Sequence, residues 1–333
     1  MNETASRQSI DVGAQVKDVL AGDRAALARA ITLVESAASQ HKKSAQALLA
    51  QLLPHTGQSI RVGVTGPPGA GKSAFIDTVG CALTERGHKV AVLAIDPSSA
   101  LNRGSILGDK TRMEGLSRDP NAFIRPSPTG GVLGGVASAT REVILICEAA
   151  RYDVIIVETV GAGQSETTLR SLVDFLLLLL ITGAGDELQG IKKGVIEIAD
   201  AVVINKADGD NVARAKAARA QMERALQFVA PATEGWATRA LTASGLNGQG
   251  IEEIWQVISE FAAQTKASGG FEKRRTDQRR AWLHSALEQQ MRDYLYRHPA
   301  VQTALPEIEA AVMAGELPAA QAAAELMRLA LDR

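Results

Sequence analysis

Between residues 59 and 262 the chain alternates short apolar runs with longer stretches whose apolar side chains recur every three or four positions. The two spacings predict strands and helices in turn. Candidate strands are Arg61–Thr65, Lys89–Ile95, Ala122–Arg125, Val154–Glu158, Phe175–Ile181 and Ala201–Asn205, with a short last one near Arg239–Thr242. Helical spacing covers 136–151, 187–199, 211–228 and 250–264. The continuous apolar run Phe175–Ile181 is too short to span a bilayer and suits a strand buried in a parallel sheet. The alternation predicts an α/β fold, a mostly parallel central sheet flanked by helices. Residues 11–53 are alanine-rich with helical spacing at Val16, Val19, Leu27, Ile31, Val34 and Leu48, until Pro54-His55-Thr56-Gly57 breaks it. Residues 266–276 are polar and read as a linker or a helix start; 277–298 and 306–331 return to helical spacing. The expected division is an N-terminal helical extension at 1–57, a nucleotide domain at 58–265 and a C-terminal helical arm at 266–333.

Composition narrows the class. The chain has 333 residues, 46% of them apolar and 4% aromatic, enough for a packed aliphatic core. A net charge of −1 gives no bulk attraction to nucleic acid or a membrane surface. Cys81 and Cys147, the only cysteines, have no metal-binding spacing. No basic-then-apolar leader pattern stands at Met1-Asn2-Glu3-Thr4, and the expectation is a cytoplasmic protein.

Gly66-Pro67-Pro68-Gly69-Ala70-Gly71-Lys72-Ser73 matches the phosphate-loop pattern G-x-x-x-x-G-K-[ST] in full. A strand precedes it and a helix opening at Ala74 follows, as the mechanism requires. Glycines let backbone N–H groups turn toward an anion, and the helix N-terminus adds partial positive charge. Lys72 is expected to reach the β- and γ-phosphates, and the Ser73 hydroxyl to bind Mg²⁺. Asn205-Lys206-Ala207-Asp208 ends the strand Ala201–Ile204 and carries the guanine-reading pattern N-K-x-D. Guanine offers two N–H donors on one edge, and the Asp208 carboxylate can accept both. Adenine lacks that donor pair and would leave the carboxylate desolvated and unpaired, a discrimination of roughly 10⁴-fold or more. The Lys206 stem is expected over the base, with Asn205 tying the two loops. Gly66, Gly69, Ala70, Gly71, Lys72, Ser73, Ala74, Asn205, Lys206, Asp208, Ser244 and Gly245 make up the expected nucleotide-binding set.

Acids at or near strand ends are the candidates for metal and hydrolysis. Mg²⁺ takes oxygen ligands and keeps several waters. Ser73, Asp96, Asp109 and Glu158 are expected to hold the ion directly or through its waters. Glu158 to Gly161 has the shape of a D-x-x-G element with Glu in place of Asp, and Gly161 would sense the γ-phosphate. Lys72, Asp96, Glu158 and Gly161 form the expected catalytic group. Ala162 stands where many GTPases place a water-positioning Gln, so slow hydrolysis, accelerated by a partner, is expected.

These motifs, with Asp96-Pro97-Ser98-Ser99, Glu158 through Glu166 and Gly185 through Gly194, resemble the MeaB/ArgK family of GTPases over roughly residues 10–330. The resemblance implies a P-loop GTPase fold and a homodimer joined by its C-terminal arm. It implies a partner, an adenosylcobalamin-dependent methylmalonyl-CoA mutase, whose cofactor loading from an adenosyltransferase the protein gates and which it protects from inactivation. Asp186, Glu187, Gln189 and Lys192 match the family's partner-coupling switch. One departure is Ile181-Thr182-Gly183 in place of a proline-containing turn. Two alternatives stay open. A nickel-delivery GTPase would carry paired cysteines or clustered histidines, whereas His41, His55, His88, His284 and His298 are scattered. A P-loop kinase would need an acceptor-side base, and none stands out.

Overall fold

The computed structural model describes residues 11–36, 38–96, 113–128, 133–159, 165–182 and 193–331. Its strands are β1 (Ile60–Thr65), β2 (Val90–Asp96), β3 (Ala122–Pro128), β4 (Val154–Thr159), β5 (Phe175–Ile181), β6 (Ala201–Asn205) and β7 (Arg239–Thr242). They form one seven-stranded sheet in the order β3-β2-β4-β1-β5-β6-β7, parallel throughout. Helices are α1 (Val12–Leu20), α2 (Arg24–Glu35), α3 (Ser39–Leu52), α4 (Lys72–Thr84), α5 (Glu114–Arg118), α6 (Leu133–Ala149) and α7 (Ser165–Arg170). After them come α8 (Lys193–Ile198), α9 (Val212–Leu226), α10 (Ile251–Ala267), α11 (Gly270–Arg297), α12 (Pro299–Met313) and α13 (Ala319–Leu331). The expected α/β architecture is the one observed.

Successive strand side chains face opposite sides of a sheet. β5 displays this cleanly. Leu177 and Leu179 join Phe75, Ile76, Val79 and Leu83 of α4 and Ile254, Ile258 and Phe261 of α10 on one face. Leu178 and Leu180 join Ala215 and Met222 of α9 on the other. Phe261 stands edge-on to Phe175 at 5.0 Å and to Trp236 at 5.2 Å, so aromatics concentrate where α10 crosses the sheet.

α1 and α2 open on aspartate caps, with Ala14 N donating to Asp11 Oδ1 at 3.0 Å and Ala26 N to Asp23 Oδ1 at 2.6 Å. Arg24 Nη1 reaches the Asp119 and Pro120 carbonyls at 3.2 and 3.1 Å, and Arg125 of β3 pairs with Glu35. These contacts fix the N-terminal helices to the β3 edge of the sheet. On α6, burial pushes the Glu142 carboxyl up to about 7 against the opposing pull of Arg141.

The amino ends of the strands are closed by buried ion pairs. Arg61 Nε donates to Glu148 Oε1 at 2.9 Å, and Glu148 also accepts from Ser59 Oγ at 2.5 Å and Gly57 N at 2.9 Å. Arg275 Nη2 donates to Asp174 Oδ2 at 2.7 Å and to Ser59 O at 2.6 Å. Asp174 Oδ2 also receives the Arg61 backbone N–H at 2.9 Å. Asp200 takes Arg170, the Thr233 hydroxyl at 2.5 Å and the Leu176 N–H at 2.9 Å, while Arg274 bonds Thr233 and the Asp174 carbonyl. Burial pushes the Glu148 carboxyl up, but the charge and hydrogen bonds of Arg61, with Ser59, leave it below its ordinary value. Burial pulls the Arg275 guanidinium down, and Asp174 outweighs it, so the group ends above its ordinary value.

By its contacts the chain divides into two compact units, residues 1–278 and 279–333. α11 begins at Gly270, after a turn whose Gly269 has φ 76°, so residues 270–276 are helical. In the second unit α12 starts at Pro299, earlier than the spacing of apolar residues suggested. Proline suits the first helical position, where its missing N–H costs nothing. Pro306 is carried inside the same helix. Val301, Ala322 and Ala330 are buried in this unit, while Leu283, Leu287, Met291 and Tyr294 are exposed along α11.

Candidate functional site

The site lies at the carboxyl ends of β1, β4, β6 and β7, where parallel sheets place their ligands. The loop after β1 turns tightly. Gly66 has φ 152°, and a Cβ there would stand 2.2 Å from the Leu179 carbonyl oxygen of β5. Gly71 has φ 85° at the start of α4, and its Cβ would stand 2.9 Å from Asn205 Nδ2. No side chain fits at Gly66, and at Gly71 one would be strained and would push on the Asn205 amide. Lys72 is buried, and its Nζ donates to the Gly66 and Pro67 carbonyls at 2.9 and 3.2 Å, inside the loop. Burial lowers the Lys72 pKa, with the Glu158 charge opposing. A desolvated ammonium on a glycine loop favours an anionic ligand.

Beside it, Ser73 Oγ donates to Glu158 Oε1 at 3.2 Å. Glu158 is 5% exposed near the end of β4, in register with Val64 of β1 and Ala94 of β2. Thr159 Oγ1 donates to Thr65 Oγ1 at 3.2 Å and joins the two strand ends. A hydroxyl and a carboxylate held together are hard oxygen donors, the ligand type Mg²⁺ takes. Asp96 ends β2, the neighbour of β4. Its side chain lies outside the described residues, as do Asp109, Gly161, Asp186, Glu187, Gln189 and Lys192. Among the described residues no group of three or more His, Cys, Asp or Glu side chains could hold a metal.

Asn205 joins the two motifs. Its Nδ2 donates to the Ala70 carbonyl at 2.8 Å, and its Oδ1 accepts the Gly245 N–H at 3.1 Å. It is 2% exposed, so the tie is sealed from water. Asp208 accepts from Ser244 Oγ at 2.5 Å, and Ser244 Oγ in turn accepts the Leu246 and Asn247 N–H groups, each at 3.2 Å. Thr78 of α4 donates to the Gly245 carbonyl at 2.6 Å. The Lys206 stem runs past Gly71, its Cε 3.8 Å from where a Cβ there would stand. Thr65, Thr78 and Thr159 were not singled out in the sequence. Only their positions, at strand ends or nearly two turns into α4, mark them. A cleft of 490 Å³ between Arg219, Arg239, Leu241 and Glu253 shares none of these residues, and its acids and arginines pair with one another.

Residues 27–300 match the family described as methylmalonyl Co-A mutase-associated GTPase MeaB. The chain belongs to the MeaB family. GTPase ArgK of Escherichia coli is 49% identical over 275 residues, 83% of each chain. The methylmalonic aciduria type A homolog, mitochondrial, of Mus musculus is 45% identical over 317 residues, 92% of this chain and 76% of its own. The crystal structure of a LAO/AO transport system kinase aligns with a TM-score of 0.74 at 38% identity, covering 98% of both chains. Membership in the MeaB family makes this a GTPase related to methylmalonyl-CoA mutase function. No helix among the described residues is long and apolar enough to cross a membrane.

Proposed function

We propose that the site at the carboxyl ends of β1, β4, β6 and β7 binds GTP and Mg²⁺, hydrolyses GTP slowly on its own, and couples that hydrolysis to a cobalamin-dependent methylmalonyl-CoA mutase. One observation carries the reading. Asn205 fastens the phosphate loop, through Ala70, to the Asp208 and Ser244 corner, so an anion cradle and a base-edge acceptor share one pocket. In it the loop N–H groups and Lys72 hold the β- and γ-phosphates, and Asp208 accepts the two guanine N–H donors. Lys206 covers the base, and Ser244 and Gly245 back Asp208. Ser73 supplies a hydroxyl ligand to Mg²⁺, with Glu158, Asp96 and Asp109 as further ligands or holders of its waters. Held by these residues, Mg²⁺ would neutralise charge growing on the phosphate oxygens. Water attacks the γ-phosphorus and the bond to the β-phosphate bridging oxygen breaks, leaving GDP and phosphate. Gly161 senses the γ-phosphate and its loss.

The mutase partnership rests on the family and on relatives named for methylmalonic aciduria. Asp186, Glu187, Gln189 and Lys192 are the proposed partner-coupling switch, gating cofactor delivery by an adenosyltransferase and protecting the mutase. The exposed Leu283, Leu287, Met291 and Tyr294, at helical spacing on α11, support a homodimer. Calorimetry with non-hydrolysable GTP and ATP analogues in Mg²⁺ tests the pocket; a guanine preference of roughly 10⁴-fold or more is expected. Equal affinities would overturn it. Radiolabelled GTP is expected to yield labelled free phosphate, and label on any other acceptor would favour a kinase.

A further inference from the structure

Lys206 has φ 57°, a left-handed backbone that only Arg151 shares among the described non-glycine residues. Such a residue is strained and persists only where its surroundings hold it. The holder is a side-chain relay. Asn211 Nδ2 donates to the Lys206 carbonyl at 2.7 Å, and Asn211 Oδ1 accepts from Thr182 Oγ1 at 2.6 Å. The directions follow from chemistry. A carbonyl can only accept, so the amide nitrogen must face Lys206 and the amide oxygen must face Thr182. The Lys206 carbonyl thus fixes which way the Asn211 amide is turned, and Thr182 donates to the amide oxygen and steadies it there. Ile181 pairs with Asn205 in the sheet, so Thr182 and Lys206 are the next residues on adjacent strand ends.

We propose that Thr182 and Asn211 are positioning residues that hold Lys206 left-handed and thereby set how long a guanine nucleotide stays bound. The inference rests on the guanine-binding reading of the pocket. Lys206 carries its stem along Gly71, between the phosphate loop and the Asp208 corner. Without the relay its backbone relaxes to an ordinary conformation and the stem leaves the base, while the phosphate loop keeps its form.

The test is the dissociation rate of a fluorescent GDP from the full chain. Thr182→Val removes the hydroxyl at nearly constant shape, and Thr182→Ser keeps it. Thr182→Val and Asn211→Ala are expected to speed release about 5- to 20-fold, with Thr182→Ser close to the native rate. Glycine adopts the left-handed form freely, so Thr182→Val added to Lys206→Gly should change release no further. A role in folding alone would predict additive effects there. The inference is overturned if Thr182→Val releases GDP within twofold of the native rate, if Thr182→Ser is as fast as Thr182→Val, or if the two changes add. Failure of the underlying reading is separate, because the native chain itself would then hold ADP as well as GDP.

Discussion

The two ends of the sheet use polar residues in opposite ways. At the amino ends Arg61, Arg170, Arg274 and Arg275 meet Glu148, Asp174 and Asp200 in a closed set of ion pairs, each group satisfied by the protein itself. At the carboxyl ends Lys72 leans on loop carbonyls and carries a pKa lowered by burial. Asp208 is steadied by one hydroxyl, and Ser73 with Glu158 forms an oxygen pair. Buried ion pairs are costly to break because the survivor is left charged in a poor solvent. Groups propped by weaker ties can exchange them for a ligand. The first arrangement holds the strands together, and the second is the one in which the proposed ligand would replace internal ties.

The sharpest way to break this contrast is Arg275→Met. It strands Asp174, and a loss of about 3–5 kcal/mol is expected in urea unfolding, with guanine preference unchanged. Lys72→Ala should do the reverse. GTP affinity is expected to fall about 10- to 100-fold by calorimetry, while the ligand-free chain unfolds at or above its native midpoint. Glu142 lies on α6, which spans the two ends, and is raised to about 7 from 4.5. A raised carboxyl contributes most below its unfolded value, and that contribution is lost as pH rises through 7. Glu142→Gln should therefore stabilise the protein at pH 8 by about 1–3 kcal/mol and flatten the pH dependence from weakly acid to neutral solution. Ser244→Ala is the mildest. It frees Asp208 to rotate, and GTP affinity should fall about 3- to 10-fold with ATP binding unchanged.

The sheet was legible because its signals are local: apolar runs such as Phe175–Ile181, punctuated by glycine and polar turns. The phosphate loop was legible for a similar reason, since its backbone bends demand glycine at Gly66 and favour it at Gly71. What escaped was long-range. Arg61 and Glu148 are 87 positions apart and Arg275 and Asp174 are 101 apart, and each alone looks like an ordinary surface charge. Thr182 and Asn211 escaped because threonine and asparagine near a strand end are read first as turn residues. The start of α12 at Pro299 precedes the helical spacing that begins at 306, because the helix opens on a proline suited to a first turn and not on an apolar period.

The grip of Arg274, Arg275 and Gln278 has a bearing on modularity. These side chains hold the Asp174 and Val173 carbonyls, the Asp174 carboxylate and the Ser59 carbonyl, and all belong to the first unit. A chain cut before Phe271 would forfeit that clasp and leave two aspartates short of a cation. One ending at Gln278 would retain it. The clasp therefore sets the shortest C-terminal boundary at which the first unit keeps its buried cations, at Gln278.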